Sequence, residues 1–284
     1  MDRFSKFNPK VTFLFFVFII ILTLILFHPL FLFVSLISSL CYKIKLDGKK
    51  GIDYFFKFIL PLTLFVAVFN MLFTHYGVTV LFTAFDMSFT LEGLFYGLCQ
   101  GMMFSAVIMW FSCYSEVVTS ERFLAVFGRL APNLALVFSM VLSFIPRLKK
   151  NFAEINDARM LLDNDEGRLK KAFKNFSALL TMTLEESIEV SDSMKARGFG
   201  KGRVSYSKYR FLLKDGVCLF FMLAISTALC VMKALGRIDF IFEPEITMNS
   251  FSAFSFVIFI LISFLPVMID LTEDMRWFYL KQKI

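Results

Sequence analysis

Long uncharged apolar runs recur along this chain, and no other feature restricts its fold as much. Val11 to Phe27 contains no charged residue, and neither do Leu30 to Tyr42, Phe58 to Phe73, Val217 to Met232 and Phe251 to Ile269. A run from Leu91 to Ser112 carries one, Glu92, near its start. A helix that crosses the hydrocarbon of a bilayer needs about 20 predominantly apolar residues. The first two runs are shorter and are expected to be tilted or partly inserted, with a tight turn between them at His28-Pro29. The totals agree: 58% of residues are apolar, 40 are phenylalanine, and mean hydropathy is +0.71. A soluble core cannot absorb that much apolar surface. The expected class is all-α, a polytopic helical membrane protein with about five to six spans.

Lysine and arginine orient such spans, because cytoplasmic loops are enriched in both. Lys43 to Lys57 holds five lysines and is expected inside, whereas Thr74 to Thr90 has no Lys or Arg and is expected outside. Leu130 to Ile145 is the deciding stretch. Nine of its residues are Leu, Ile, Val or Phe, so hydropathy alone permits insertion. Crossing there would export the 15 Lys and Arg between Arg147 and Lys214. Keeping Ser112 to Lys214 inside places 28 of 30 Lys and Arg in the cytoplasm, with Lys233 and Arg237 elsewhere. Both termini are then cytoplasmic in a multi-pass protein of the cell membrane. Leu130 to Pro146 becomes a buried or interfacial helix beneath the spans, and Pro146 is expected to begin the next one. The resulting division is 1–112 for N-terminal spans, 113–214 for cytoplasmic or interfacial helices, and 215–284 for C-terminal spans and tail.

The polar region holds two matching local patterns. Arg168 to Arg197 is expected to form one long helix, since Phe173, Phe176, Leu180, Leu184, Ser187, Ser191 or Val190, Met194 and Arg197 recur in steps of three and four. Gly198-Phe199-Gly200 follows, and glycine after the last helical residue stops a helix. The earlier helix places Leu148, Phe152, Ile155, Arg159 and Leu162 on one face. Asp163 to Gly167 then breaks it. Ala158 precedes Arg159 as Ala196 precedes Arg197, so each helix carries an Ala-Arg tip. An arginine offers a planar fork that pairs bidentately with carboxylates. A helix C-terminus also favours a cation. Two such tips imply docking to two copies of a partner or to two related subunits.

Other chemistry is absent from the pattern. No G-x-x-x-x-G-K-[ST] loop is present, so ATP is not expected to bind this chain through a phosphate loop of its own. No H-E-x-x-H, G-x-S-x-G or C-x-x-C motif appears either, and five cysteines lie in or beside apolar runs. His28 and His75 are too far apart to mark a metal site. Neither an enzyme, a cofactor nor a metal is expected. Glu92, Glu116 and Lys233 lie at or near span ends, where snorkelling accounts for them. That argues against an ion-coupled carrier with relay groups at mid-membrane. The net charge of +7 reports orientation ahead of nucleic-acid binding, and no nucleic-acid partner is expected.

These residues resemble a known family. Asn8-Pro9, His28-Pro29, Arg122, Phe144-Ile145-Pro146 and above all Met194-Lys195-Ala196-Arg197-Gly198-Phe199-Gly200 are similar to the transmembrane T component of energy-coupling factor (ECF) transporters, the EcfT/CbiQ family. The Met-x-Ala-Arg-Gly stretch is the most specific of them. The family's earlier Ala-Arg-Gly motif aligns with Ala158-Arg159-Met160, where methionine replaces glycine. The resemblance implies that Ala158, Arg159, Ala196, Arg197 and Gly198 end coupling helices that insert into two ABC-type ATPase subunits. It also implies a separate small membrane S component that binds a vitamin, a metal ion or a similar micronutrient. The competing expectations are a stand-alone solute carrier or channel, or a membrane scaffold for an unrelated complex.

Overall fold

The computed structural model describes residues 4, 7–73, 79–84, 87–128, 131–161, 167–199, 212–241, 247–250 and 252–281. They fold as two units, one of residues 1–123 with 209–284 and one of residues 124–208. The second is taken up below with the functional surface.

The first unit is built around α1 (Pro9–Ile25). Its start follows from the sequence, because Pro9 lacks an N–H that the first turn would leave unbonded, and Asn8 Oδ1 accepts from the Lys10 N–H at 3.2 Å. Val11, Phe15, Phe16, Ile19 and Leu22 are buried, so α1 is the core of the bundle. At about 1.5 Å per residue it is near 25 Å long, under the roughly 30 Å of bilayer hydrocarbon. The same start recurs in α2 (Pro29–Asp47), where His28 Nδ1 accepts from the Leu30 N–H at 3.3 Å. Burial and, after it, the positive charge of Lys233 hold the His28 imidazole below its ordinary pKa, which favours the neutral ring that this cap requires. Gly48 ends α2 with φ +62°.

The span after it is Lys49–Phe73: α3 (Lys49–Tyr54), a π-helical turn (Phe55–Ile59) and α4 (Leu60–Phe73). α5 (Leu91–Val117) packs on α4 through glycine. Gly93, Gly97, Gly101 and Ser105 recur every fourth residue and form one stripe on α5. A Cβ on Gly97 would lie 2.8 Å from the Ala67 carbonyl oxygen, and one on Gly101 would lie 2.6 Å from that of Thr63. The two backbones therefore touch, and Thr63 Oγ1 and Ser105 Oγ are hydrogen-bonded at 2.7 Å.

A directed chain of hydroxyls ties α5 to the centre. Trp110 Nε1–H donates to Ser35 Oγ at 3.0 Å, Ser35 and Thr23 Oγ1 are bonded at 2.9 Å, and Thr23 donates to the Ile19 carbonyl at 2.7 Å. α9 (Leu213–Ala234) packs against α1, and α10 (Ala253–Ser263) and α11 (Leu265–Lys281) close the bundle. These last two are bent by 55° at a break at Phe264, with Pro266 in the first turn of α11, and Ser38 Oγ donates to the Ser263 carbonyl at 2.6 Å. A neighbouring helix thus satisfies a carbonyl at the break, which is how such breaks persist within lipid.

Pro29–Asp47, Lys49–Phe73, Leu91–Val117 and Asp215–Ala234 are long and apolar enough to cross a membrane, and the bent pair Ala253–Thr272 makes a fifth. α1 is the sixth expected span and is apolar but only 17 residues long. The protein is a multi-pass helical membrane protein. Two small hairpins occupy loops expected on the outside: β1 (Val80–Ala84) with β2 (Met87–Thr90), and β3 (Asp239–Ile241) with β4 (Thr247–Ser250).

Candidate functional site

Residues 124–208 hold the two polar-region helices. α6 (Ser120–Phe127) leads into α7 (Pro132–Met160), and α8 (Arg168–Ala196) follows. α7 runs unbroken through Pro146, so that proline does not begin a helix as the sequence alone indicated. Its first half is an exposed apolar stretch, with Leu134, Val137, Phe138, Val141 and Ile145 uncovered within this unit. α7 is not among the helices apolar enough to cross a membrane. Of the break expected at Asp163 to Gly167, residues 163–166 lie outside the described residues, and Gly167 is the N-cap of α8.

The two long helices pair antiparallel through polar groups. Arg147 forms an ion pair with Glu186, Asn175 Nδ2 donates to Asn156 Oδ1 at 3.2 Å, and Arg159 Nη2 donates to the Lys174 carbonyl at 3.1 Å. Residue numbers rise along α7 as they fall along α8, which fixes the register of the pair. Asn151 and Asn175 are buried, and Val126 is the one buried apolar residue among the described residues of this unit. The unit is inside-out: its seam is polar and its apolar side chains face away.

On α8 the arrangement is regular. Leu169, Phe173, Phe176, Leu180, Leu184 and Ile188 are exposed, with Phe173 at 74% and Leu184 at 63%. At about 100° per residue they centre on the side opposite Asn175 and Glu186. The stripe therefore points away from α7. Burying a large apolar side chain is worth about 1.5–3 kcal/mol, so six of them leave on the order of 10 kcal/mol to be gained from a partner or from lipid. The stripe expected on α7 is mixed: Leu148, Ile155 and Arg159 are half-buried, Phe152 is exposed, and Leu162 lies outside the described residues.

The two Ala-Arg tips also differ. α8 ends at Ala196 with Arg197 as its cap. Gly198 follows with φ +80°, its N–H donating to the Lys195 carbonyl at 3.0 Å while the Phe199 N–H donates to the Met194 carbonyl at 3.0 Å. This is the glycine-dependent Schellman turn, which bonds the last carbonyls of a helix and turns the chain sharply away. Ala196 and Arg197 are exposed, and no side chain among the described residues pairs with the Arg197 guanidinium. Arg159 instead sits within the last turn of α7, which continues through Met160 to a cap at Leu161. Ala158 is exposed, but the Arg159 guanidinium is engaged with α8. From Lys174, where Arg159 docks, to Arg197 is 23 residues of helix, about 35 Å. The tips therefore lie at opposite ends of α8, too far apart for a single small site.

Two features of the fold were missed in the sequence. The glycine stripe was visible as a four-residue repeat of small residues. Lys43 was taken with four other lysines as loop, and Glu116 as a snorkelling end group, yet the two are paired to each other. Among the described residues no group of His, Cys, Asp and Glu is arranged to hold a metal ion.

Comparison with known proteins adds to this geometry. A family model described as cobalt transport protein, CbiQ, matches residues 4–207. The chain is 26% identical over 230 residues to the energy-coupling factor transporter transmembrane protein EcfT of Staphylococcus aureus (strain 04-02981), an alignment that covers 76% of this chain and 84% of the relative.

Proposed function

This chain belongs to the CbiQ family of cobalt transport proteins, and from that membership we propose a specific role for it. It is the membrane subunit that passes ATP-driven motion from two ABC-type ATPase subunits to a small substrate-binding S component, for uptake of a vitamin, a metal ion or a similar micronutrient. It is a transporter component and not itself an enzyme. The observation that carries this reading is α8: an exposed apolar stripe followed by an arginine with no partner among the described residues, set in a glycine turn. An exposed guanidinium at a helix end suits an acidic groove on a partner. The stripe beside it suits an apolar subunit that moves across it.

In this reading Arg197 and Arg159 each engage one ATPase subunit, and Ala158, Ala196 and Gly198 let the partner backbone approach. The separation of about 35 Å between the tips leaves room for each to engage a different subunit. Residues 113–214 are then the cytoplasmic coupling region, 1–112 and 215–284 the membrane part, and both termini are cytoplasmic, as the placement of 28 of 30 Lys and Arg favours.

Purification from native membranes under mild detergent tests the proposal. The expected result is co-purification of proteins bearing phosphate-binding loops, together with one small polytopic protein. Recovery of the chain alone, or with enzymes of another kind, would remove the proposal.

A further inference from the structure

A buried lysine stands where the membrane helices lead into the coupling helices. Lys43, in the last turns of α2, has a side chain only 5% exposed. Its Nζ lies 2.8 Å from Asp47 Oδ2 one turn on and pairs with Glu116 in the last turn of α5. The Tyr54 ring of α3 faces the same ammonium at 5.8 Å. α3 approaches closely because residue 51 is glycine, where a Cβ would lie 3.0 Å from the Lys43 carbonyl oxygen. Three helices therefore meet on one charge. A lysine this near a span end normally reaches outward to water. Burying it costs several kcal/mol unless partners compensate, and here two carboxylates and a ring face do.

The position of Glu116 gives the cluster its meaning. α5 ends one residue later at Val117, whose carbonyl accepts from Arg122 Nη1 of α6 at 2.8 Å. Beyond α6 the chain enters residues 124–208. One of the two covalent routes from the coupling helices into the membrane part thus passes a residue held by Lys43. α5 does not need this pair to stay in the bundle, since the glycine contacts with α4 and the Trp110–Ser35 bond already hold it further along. We propose that Lys43 and Glu116 are positioning residues of energy coupling, which fix the end of α5 so that motion of α7 and α8 is delivered to the membrane helices and not absorbed at the joint. The inference rests on the coupling role assigned above.

Hydrogen–deuterium exchange of the intact assembly in nanodiscs tests it, comparing the nucleotide-free state with the state trapped by ATP and vanadate. In the wild type, trapping is expected to change exchange both in α7–α8 and in α3, across the joint. In Lys43→Met and in Glu116→Gln the change in α7–α8 persists with the ATPase subunits still bound, while the change in α3 falls about fivefold or more, the scale set by about 1 kcal/mol. The double exchange Lys43→Glu with Glu116→Lys keeps one cation between two carboxylates and restores the α3 response. A wild-type α3 response in both single variants overturns the inference. So does loss of the ATPase subunits in either one, or a double exchange that restores nothing, since each makes the pair merely structural. A wild type with no bound ATPase and no nucleotide response anywhere would instead show that the coupling role itself is wrong, and the inference would fall with it.

Discussion

Replacing Arg159 and Arg197 together with alanine is expected to strip the ATPase subunits from the purified protein, whereas either change alone weakens their binding and lowers uptake. Truncating one member of a desolvated charge pair typically costs about 2–5 kcal/mol, which is about 30-fold or more in affinity. One intact tip still holds the assembly at that cost, and two losses together exceed what the remaining contacts supply. The two single variants separate further. Arg197 is exposed and has no partner among the described residues, so Arg197→Ala should leave the stability of the isolated chain unchanged within about 0.5 kcal/mol. Arg159 donates to the Lys174 carbonyl, and its loss also removes one of the polar ties between α7 and α8. Arg159→Ala should therefore destabilise the isolated chain as well as weaken docking. Pull-down of the ATPase subunits beside thermal melts of the chain checks both halves. Normal ATPase recovery by the double variant would show that the arginines do not dock these subunits.

Gly101→Leu is expected to be the most damaging single change in the membrane part. Even a Cβ at this position would come within 2.6 Å of the Thr63 carbonyl oxygen and 3.2 Å of Thr63 Cγ2. The first of these is backbone and cannot swing aside, so α4 must be pushed off α5. Overpacking a tight contact costs about 1–3 kcal/mol, more where backbone must move. The Thr63–Ser105 hydrogen bond at 2.7 Å one turn away would be lost with it. The variant should show a lowered melting midpoint and an aggregated chromatographic profile in detergent. Leu98→Ala, which removes an exposed side chain from the same helix, should show neither. A Gly101→Leu protein that melts like the wild type would mean that α4 and α5 are not held by this seam.

Much of the helix grammar was legible in the chain. Asn8-Pro9 and His28-Pro29 open helices because each proline sits where no backbone donor is needed, and Gly198 closes α8 because φ +80° costs glycine little. The span of α8 was therefore readable almost to the residue. Pro146 misled for the same reason, since locally it has the character of a helix start. Only its setting shows α7 passing through it, with the lost hydrogen bond tolerated. The twin Ala-Arg patterns part at the next residue, methionine in one and glycine in the other, and that difference was already legible. Met160 cannot adopt the left-handed turn as readily as Gly198, so α7 runs on and buries part of Arg159 against α8. Lys43 and Glu116 were hidden for a deeper reason. They are 73 residues apart, and nothing in either neighbourhood announces a partner. Hydropathy likewise averages away the glycine stripe of α5, although its four-residue spacing was there to be counted.

Reconstitution into liposomes tests the central claim most directly. The chain alone and the assembly purified with its native partners are compared for uptake of the solute that the small co-purified subunit binds, with and without ATP on the side of the ATPase subunits. The account predicts uptake by the assembly only when ATP is hydrolysed, and none by the chain alone under either condition. Nucleotide-independent transport by the isolated chain would contradict it and show a carrier or channel in its own right.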